Sequence, residues 1–157
     1  MTEMQISKIL KPDAVRVIGA ASSKKRLFQE IAEVGHLAYG LNPQPTVEAL
    51  LDRESLGPTG VGHGVALPHA RLDGLSEVCG VFVTLEKPLD FAAVDRQPVD
   101  IAFALFAPED AGVEHLKALA LVSRTLREQN FCTKLRANND PATLFTILTE
   151  NQPVQAA

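Results

Sequence analysis

The chain has 157 residues, 46% hydrophobic and 22% charged, with a formal net charge of −4. That length suits one domain with a single core, burying about 68–70% of its unfolded surface. The balance is that of an ordinary soluble protein, and the negative sign argues against wholesale nucleic-acid binding. No run of about 18 apolar residues is present, so no membrane span is expected.

The first residues lack the charged-then-apolar layout of a signal peptide. Ile6, Ile9 and Leu10 form a short apolar opening, and Pro12-Asp13 turns the chain. Val15, Val17 and Ile18 alternate as a first strand. Ser22-Ser23 offers an N-cap for a helix through about Leu37, whose stripe is Leu27, Ile31, Val34 and Ala38. Lys24, Lys25 and Arg26 open that helix and read as either a solvated face or a docking patch. Asn42-Pro43-Gln44-Pro45 reads as a loop, and Thr46 as the cap of a second helix with Val47, Leu50 and Leu51. That helix carries Arg53 near its end and stops before Gly57-Pro58.

Next comes the most unusual stretch, G-V-G-H-G-V-A-L-P-H-A-R, from Gly60 to Arg71. Gly60, Gly62 and Gly64 alternate, which lets backbone approach a ligand and adopt positive φ. Val65, Ala66 and Leu67 predict a short buried strand. Pro68 stiffens its end, so His69 is aimed out of the core. After a turn at Leu72–Leu75, residues 78–85 read as a doubly covered central strand. Phe91 reads as a plug in an irregular segment, and residues 99–106 as a second strongly apolar strand. A long helix is predicted over about 113–128, with Leu116, Leu119, Ala120, Val122 or Ser123, and Leu126 as its buried face. Asn130 reads as the cap of a short helix bearing Phe131 and Leu135. Asp140-Pro141 is an N-cap followed by proline at the first helical position, opening a last helix with Leu144, Ile147 and Leu148. The expected fold is α/β: a mixed β-sheet with helices packed on both faces, one domain over residues 1–150 and a tail over 151–157.

His115 falls in the first turn of the long helix, where free N–H groups and the positive dipole end favour anions. Other chemistries fail on spacing. Gly60-x-Gly62-x-Gly64 is not a dinucleotide fingerprint, and no G-x-x-x-x-G-K-[ST] occurs. His63, His69 and His115 do not make a convincing zinc set. No serine or cysteine sits in a nucleophile elbow. Cys79 and Cys132 read as buried thiols of a reducing compartment, and His36 as a surface residue.

The segment from Arg53-Glu54 through Gly60–Arg71 resembles the phosphohistidine signature of the type-2 enzyme IIA domains of the bacterial phosphotransferase system. These comprise the mannitol/fructose-type domains and a nitrogen-regulatory branch. The resemblance spans nearly the whole chain. Ser22–Phe28, the stretch F-A-A-V-D-R-Q-P-V-D-I from Phe91 to Ile101, and Phe131–Arg136 look like the nitrogen-regulatory branch. Glu114-His115-Leu116-Lys117-Ala118-Leu119 matches the context of the family's second histidine. The resemblance implies a mixed-sheet fold and His69 as the phosphorylated residue. It also implies His115 as its neighbour and Arg53 as cationic partner. The glycine loop, Gly60, Gly62, His63 and Gly64, is expected to cradle the phosphate through its N–H groups. Where the family usually has Asn, this chain has His63, so any role of that amide in orienting His69 is in question.

A cytoplasmic relay protein without cofactor or metal is implied. Its donor would be a histidine-containing phosphocarrier protein, and its targets regulatory proteins such as potassium-transport or sensor-kinase proteins. Two alternatives are a sugar-specific enzyme IIA passing phosphate to a transporter domain, and a binding module that is not phosphorylated.

Overall fold

The computed structural model describes residues 4–150, so the expected tail after Glu150 lies outside the described residues. Two single-turn 3₁₀ helices, Ile6–Lys8 and Pro12–Ala14, lead into strand β1 (Val15–Ile18). Helices α1 (Lys24–Tyr39) and α2 (Pro43–Ser55) follow. Three short strands come next: β2 (Gly60–Gly62), β3 (Val65–Ala66) and β4 (His69–Leu72). Two long strands, β5 (Cys79–Leu89) and β6 (Val99–Pro108), precede α3 (Val113–Leu126), α4 (Gln129–Arg136) and α5 (Pro141–Glu150).

The strands form one mixed sheet in the order β1-β5-β6-β3-β2, with β4 also beside β6. β1 runs parallel to β5, and β5 antiparallel to β6. β3 and β4 both run parallel to β6, along the edge that β5 leaves free. Every residue from Cys79 to Leu85 and from Ile101 to Ala107 is buried. Successive side chains of a strand point to opposite faces, so both faces of the sheet's centre are covered. α1 packs on β5, α3 on β6 and α5 on β1.

The helix ends follow from local chemistry. Ser23 Oγ accepts from the Arg26 N–H at 3.0 Å, and Gly40 closes α1 at φ 74°. Leu27, Phe28, Ile31 and Val34 are fully buried, each worth about 1.5–3 kcal/mol against exposure. Phe91 is a plug as expected: it is buried, with its ring edge-on to Phe28 at 6.1 Å. Asp140 Oδ2 accepts from the Thr143 N–H at 3.0 Å, capping α5 in front of Pro141. The two cysteines are free and buried.

Three local expectations are corrected. α2 begins at Pro43, and Thr46 lies inside it with its hydroxyl bonded back to the Asn42 carbonyl at 2.8 Å. Proline at the first helical position loses no bond, so the Pro-rich stretch starts the helix and does not precede it. α4 begins at Gln129 after Glu128, which puts Asn130 within its first turn. The buried face of α3 is His115, Ala118, Leu121, Val122, Thr125 and Leu126, while Leu116 and Ala120 are exposed. Apolar residues ring that helix, so periodicity alone left its orientation open. Thr125 is accommodated because its hydroxyl bonds the Leu121 carbonyl at 2.8 Å.

Candidate functional site

Proline ends the β3 ladder without ending the strand path. Pro68 has no N–H to give, but its carbonyl accepts from the Leu105 N–H at 2.9 Å. The chain then re-enters the sheet as β4, with His69 opposite Leu105. His69 is therefore half-buried on a strand fixed by backbone register.

The imidazole is held at both nitrogens. Nδ1 lies 2.9 Å from the carbonyl of Leu67. A carbonyl only accepts, so Nδ1 carries the proton and Nε2 keeps its lone pair. Arg53 agrees with this assignment, because its Nε–H donates to Nε2 at 3.3 Å. The guanidinium sits in the last turn of α2 and is tied down by Nη1 donating to the Gly57 carbonyl at 2.9 Å. Burial pushes the His69 pKa below the usual histidine value and Arg53 pushes it further down. The Leu67 hydrogen bond and the Glu54 charge oppose that. The outcome is a neutral imidazole with an aimed lone pair.

His115 approaches from α3. Its ring centroid is 5.7 Å from that of His69, the planes tilted by 52°. The residue is 6% exposed, and its Nδ1 is buried with no hydrogen-bond partner among the described residues. Burial, then His69, then Arg71 lower its pKa. Gly112 precedes α3 without a side-chain cap, so the first-turn N–H groups remain available. Arg71 of β4 pins the approach to this helix through Nη1, which donates to the carbonyls of Ala111 and, at 3.3 Å, Glu109.

Glu54 received no role from the sequence, yet it braces the site. Its side chain is 6% exposed. It accepts from Lys24 Nζ at 2.8 Å, the Thr59 N–H at 3.1 Å and the Thr59 hydroxyl at 2.5 Å. The Thr59 carbonyl in turn accepts from the Leu67 N–H at 2.9 Å. Thus α1, α2 and the loop before β2 are linked to the residue that fixes the His69 tautomer. Lys24 is accordingly committed to structure, with its ammonium also 4.7 Å from the centre of the Phe91 ring. The adjacency of Glu54 to Arg53 was the only signal of its role. Arg71 was visible only as a neighbour in the motif.

The sequence-expected site residues separate into two groups. Arg53, His69 and His115 come together. The glycine loop is occupied with the architecture of the hairpin. Gly60 packs so closely that an added Cβ would lie 2.6 Å from the Cβ of Ala93. His63 and Gly64 form the β2–β3 turn at φ 58° and 82°. The His63 N–H donates to Asp95 Oδ2 at 2.9 Å, and its carbonyl accepts from Arg136 Nη2 at 2.8 Å. The Gly64 carbonyl accepts from Ile101, whereas His69 pairs with Leu105. Four residues of strand separate those partners by about 13 Å. The His63 imidazole faces Gln129, with Nδ1 3.4 Å from Nε2, and does not touch His69.

A neutral nitrogen lone pair, a guanidinium and an uncapped helix N-terminus converge on one spot. This is an arrangement for a nucleophile that attacks an anionic electrophile. Leu56, three residues after Arg53, and Val113 and Leu116, on either side of His115, are 83%, 59% and 63% exposed, so the chain near these groups presents apolar side chains.

Comparison with known proteins places the chain. The family described as "Phosphoenolpyruvate-dependent sugar phosphotransferase system, EIIA 2" matches residues 8–151. A nitrogen regulatory protein of Bradyrhizobium diazoefficiens is 43% identical over 145 residues, covering 92% of this chain and 95% of its own. That of Escherichia coli is 41% identical over 153 residues, covering 96% and 93%. The crystal structure of the nitrogen regulatory protein IIA-Ntr from Neisseria meningitidis superposes with a TM-score of 0.84 at 33% identity, covering 92% of this chain and 99% of that one.

Proposed function

This chain belongs to the phosphoenolpyruvate-dependent sugar phosphotransferase system EIIA 2 family, and we propose that it is a phosphoryl relay protein whose acceptor atom is Nε2 of His69. The observation that carries the reading is the two-sided hold on that ring. Leu67 keeps the proton on Nδ1, and Arg53 marks Nε2 as the nitrogen with the lone pair.

The donor is a histidine-containing phosphocarrier protein. An N–P bond forms at His69 Nε2 as the N–P bond to the donor's imidazole breaks, and the donor nitrogen recovers its lone pair. The proton stays on His69 Nδ1, donated in a hydrogen bond to the Leu67 carbonyl, so no base is needed. Transfer of this kind depends on positioning and on stabilising charge spread over three equatorial oxygens. Arg53 turns from Nε2 to those oxygens, offering planar donors. His115 and the open N-terminus of α3 supply further N–H groups. The apolar side chains of Leu56, Val113 and Leu116 suit a protein donor that excludes water as it docks.

The phosphorylation state then regulates other proteins. The added group brings roughly −1.5 to −2 charges, by analogy with other phosphoryl groups. On a surface with exposed leucine and valine, that charge disfavours a partner that buries the patch and favours one that presents arginines. Regulatory targets, of the potassium-transport or sensor-kinase kind, are preferred over a transporter domain because the relatives at 41% and 43% identity are nitrogen regulatory proteins.

The test is incubation with phosphoenolpyruvate, enzyme I and the phosphocarrier, read by intact mass. One acid-labile phosphoryl group is expected on the native chain and none on His69→Ala. Full labelling of that variant would overturn the assignment. Efficient onward transfer to a sugar-transporter domain would overturn the regulatory part alone.

A further inference from the structure

A second concave feature lies between the β2–β3 hairpin and the C-terminal end of α3. It has a volume of about 250 Å³. Val65, Leu67 and Leu126 give it an apolar lining, and all three are buried. His63, Ser123 and Arg127 supply its polar wall. Among the described residues no carboxylate or carbonyl pairs with the Arg127 guanidinium, and the Ser123 hydroxyl has no partner either. The His63 imidazole meets Gln129 Nε2 at 3.4 Å, and it lies near enough to Asp95 to help hold that carboxyl below its usual range. Small-molecule sites have this make-up: apolar walls with a few convergent polar groups. A guanidinium and a hydroxyl on one wall select an anion with paired acceptor oxygens. The apolar remainder selects a short hydrocarbon stem over a bare inorganic ion.

Leu67 links this cavity to the active histidine. The residue lines the cavity, while its carbonyl accepts from His69 Nδ1. Its N–H is tied to Thr59, so the residue has little freedom to absorb a push from the cavity side.

We propose that this cavity binds a small organic anion, a carboxylate on a short apolar stem, and that occupancy is felt at His69 through Leu67. Binding rests on the cavity's own residues; the consequence for phosphoryl transfer rests on the reading of His69 given above. A ligand seated on Leu67 moves or clamps the carbonyl that sets the His69 tautomer. It thereby changes the fraction of rings presenting the lone pair at Nε2.

The test is a titration of the full, unphosphorylated chain with pentanoate, followed by amide and imidazole nitrogen resonances. Acetate and pentylamine serve as controls lacking the stem and reversing the charge. Saturable shifts are expected at Gly62, His63, Gly64, Val65 and Leu67. The His69 Nδ1 resonance should move on the same curve. Arg127→Gln, at an exposed position, should weaken binding about tenfold or more through loss of a charge-assisted pair. Equal binding of pentylamine or acetate, unchanged affinity in Arg127→Gln, or no saturable shift overturns the site. Saturable binding with a motionless His69 overturns the coupling. Because the protein is unphosphorylated throughout, a failed phosphorelay assay leaves both results standing.

Discussion

Removing Glu54 should loosen the whole corner that carries His69. In Glu54→Ala three donors lose their acceptor: the Thr59 N–H, the Thr59 hydroxyl and Lys24 Nζ. Thr59 is 4% exposed, so its two groups have little access to replacement water. Hydrogen bonds to a charged acceptor are worth about 1.5–3 kcal/mol each, less when two share one carboxylate. The Lys24 side chain is 26% exposed and rehydrates, so its share is held to about 0.5–1 kcal/mol. Together these give about 3–4 kcal/mol, in line with the cost of deleting one member of a buried ion pair. For a domain of this size the melting temperature should fall by about 10 °C. Glu54→Gln keeps an acceptor for Thr59 but turns an amide towards Lys24, and should cost about 1–2 kcal/mol. Urea and thermal unfolding give both values. The same variants act on His69: without the Glu54 charge, which holds the His69 pKa up, the ring should titrate lower still in Glu54→Gln. A cost below about 1 kcal/mol in Glu54→Ala would refute the bracing argument. So would a His69 midpoint in Glu54→Gln that is unmoved or raised.

Acidification gives a further test, because burial lowers the pKa of both His69 and His115 below 6.5. The unfolded chain takes up protons near that value while the native sites still refuse them. Their contribution to stability is therefore complete above about pH 6.5 and is lost as pH falls through the lower native pKa values. A His69→Gln/His115→Gln double variant should show a flatter urea midpoint against pH in that window; an identical slope would contradict this. At the hairpin, Gly64→Ala combines positive φ with a Cβ placed 2.5 Å from Arg136 Nη2 and 2.9 Å from Asp100 Oδ1. Its cost should be about 2 kcal/mol by urea unfolding. Gly74→Ala, with φ 90° and nothing within 4 Å, isolates the backbone share at about 1 kcal/mol. Arg136 Nε also donates to Asp100 Oδ2 at 2.9 Å, and equal costs at the two positions would show that this ion pair is unaffected.

Where a local rule had a single outcome, the sequence was enough to read it. Ser23 caps α1, Pro141 opens α5 behind Asp140, and the apolar strands β5 and β6 form the sheet's centre. The Arg53, His69 and His115 cluster was legible through the family resemblance, carried by the stretch from Arg53 to Arg71 and by the separate context Glu114–Leu119. Thr46 and Asn130 misled because a hydroxyl or amide that bonds backbone just outside a helix does so equally well within its first turn. The face of α3 was hidden because Leu116 competes with His115 for the interior, and apolar periodicity favours the leucine. The separation of His63 from His69 was hidden because it depends on register along β6. Motif spacing does not record that register.

The ladder along β6 runs on past Pro68: Ile101 bonds the Gly64 carbonyl, Leu105 bonds Pro68, and β4 continues the pairing to Leu72. His69 thus sits on backbone that opens only when the sheet opens, not on a lid or loop. In hydrogen-exchange terms, the Leu105 amide should belong to the slowest, globally unfolding class in spite of its proline partner. A docking protein therefore meets a surface already in its final shape. Encounter then resembles rigid-body association, with its rate set by orientation and charge and not by a conformational step.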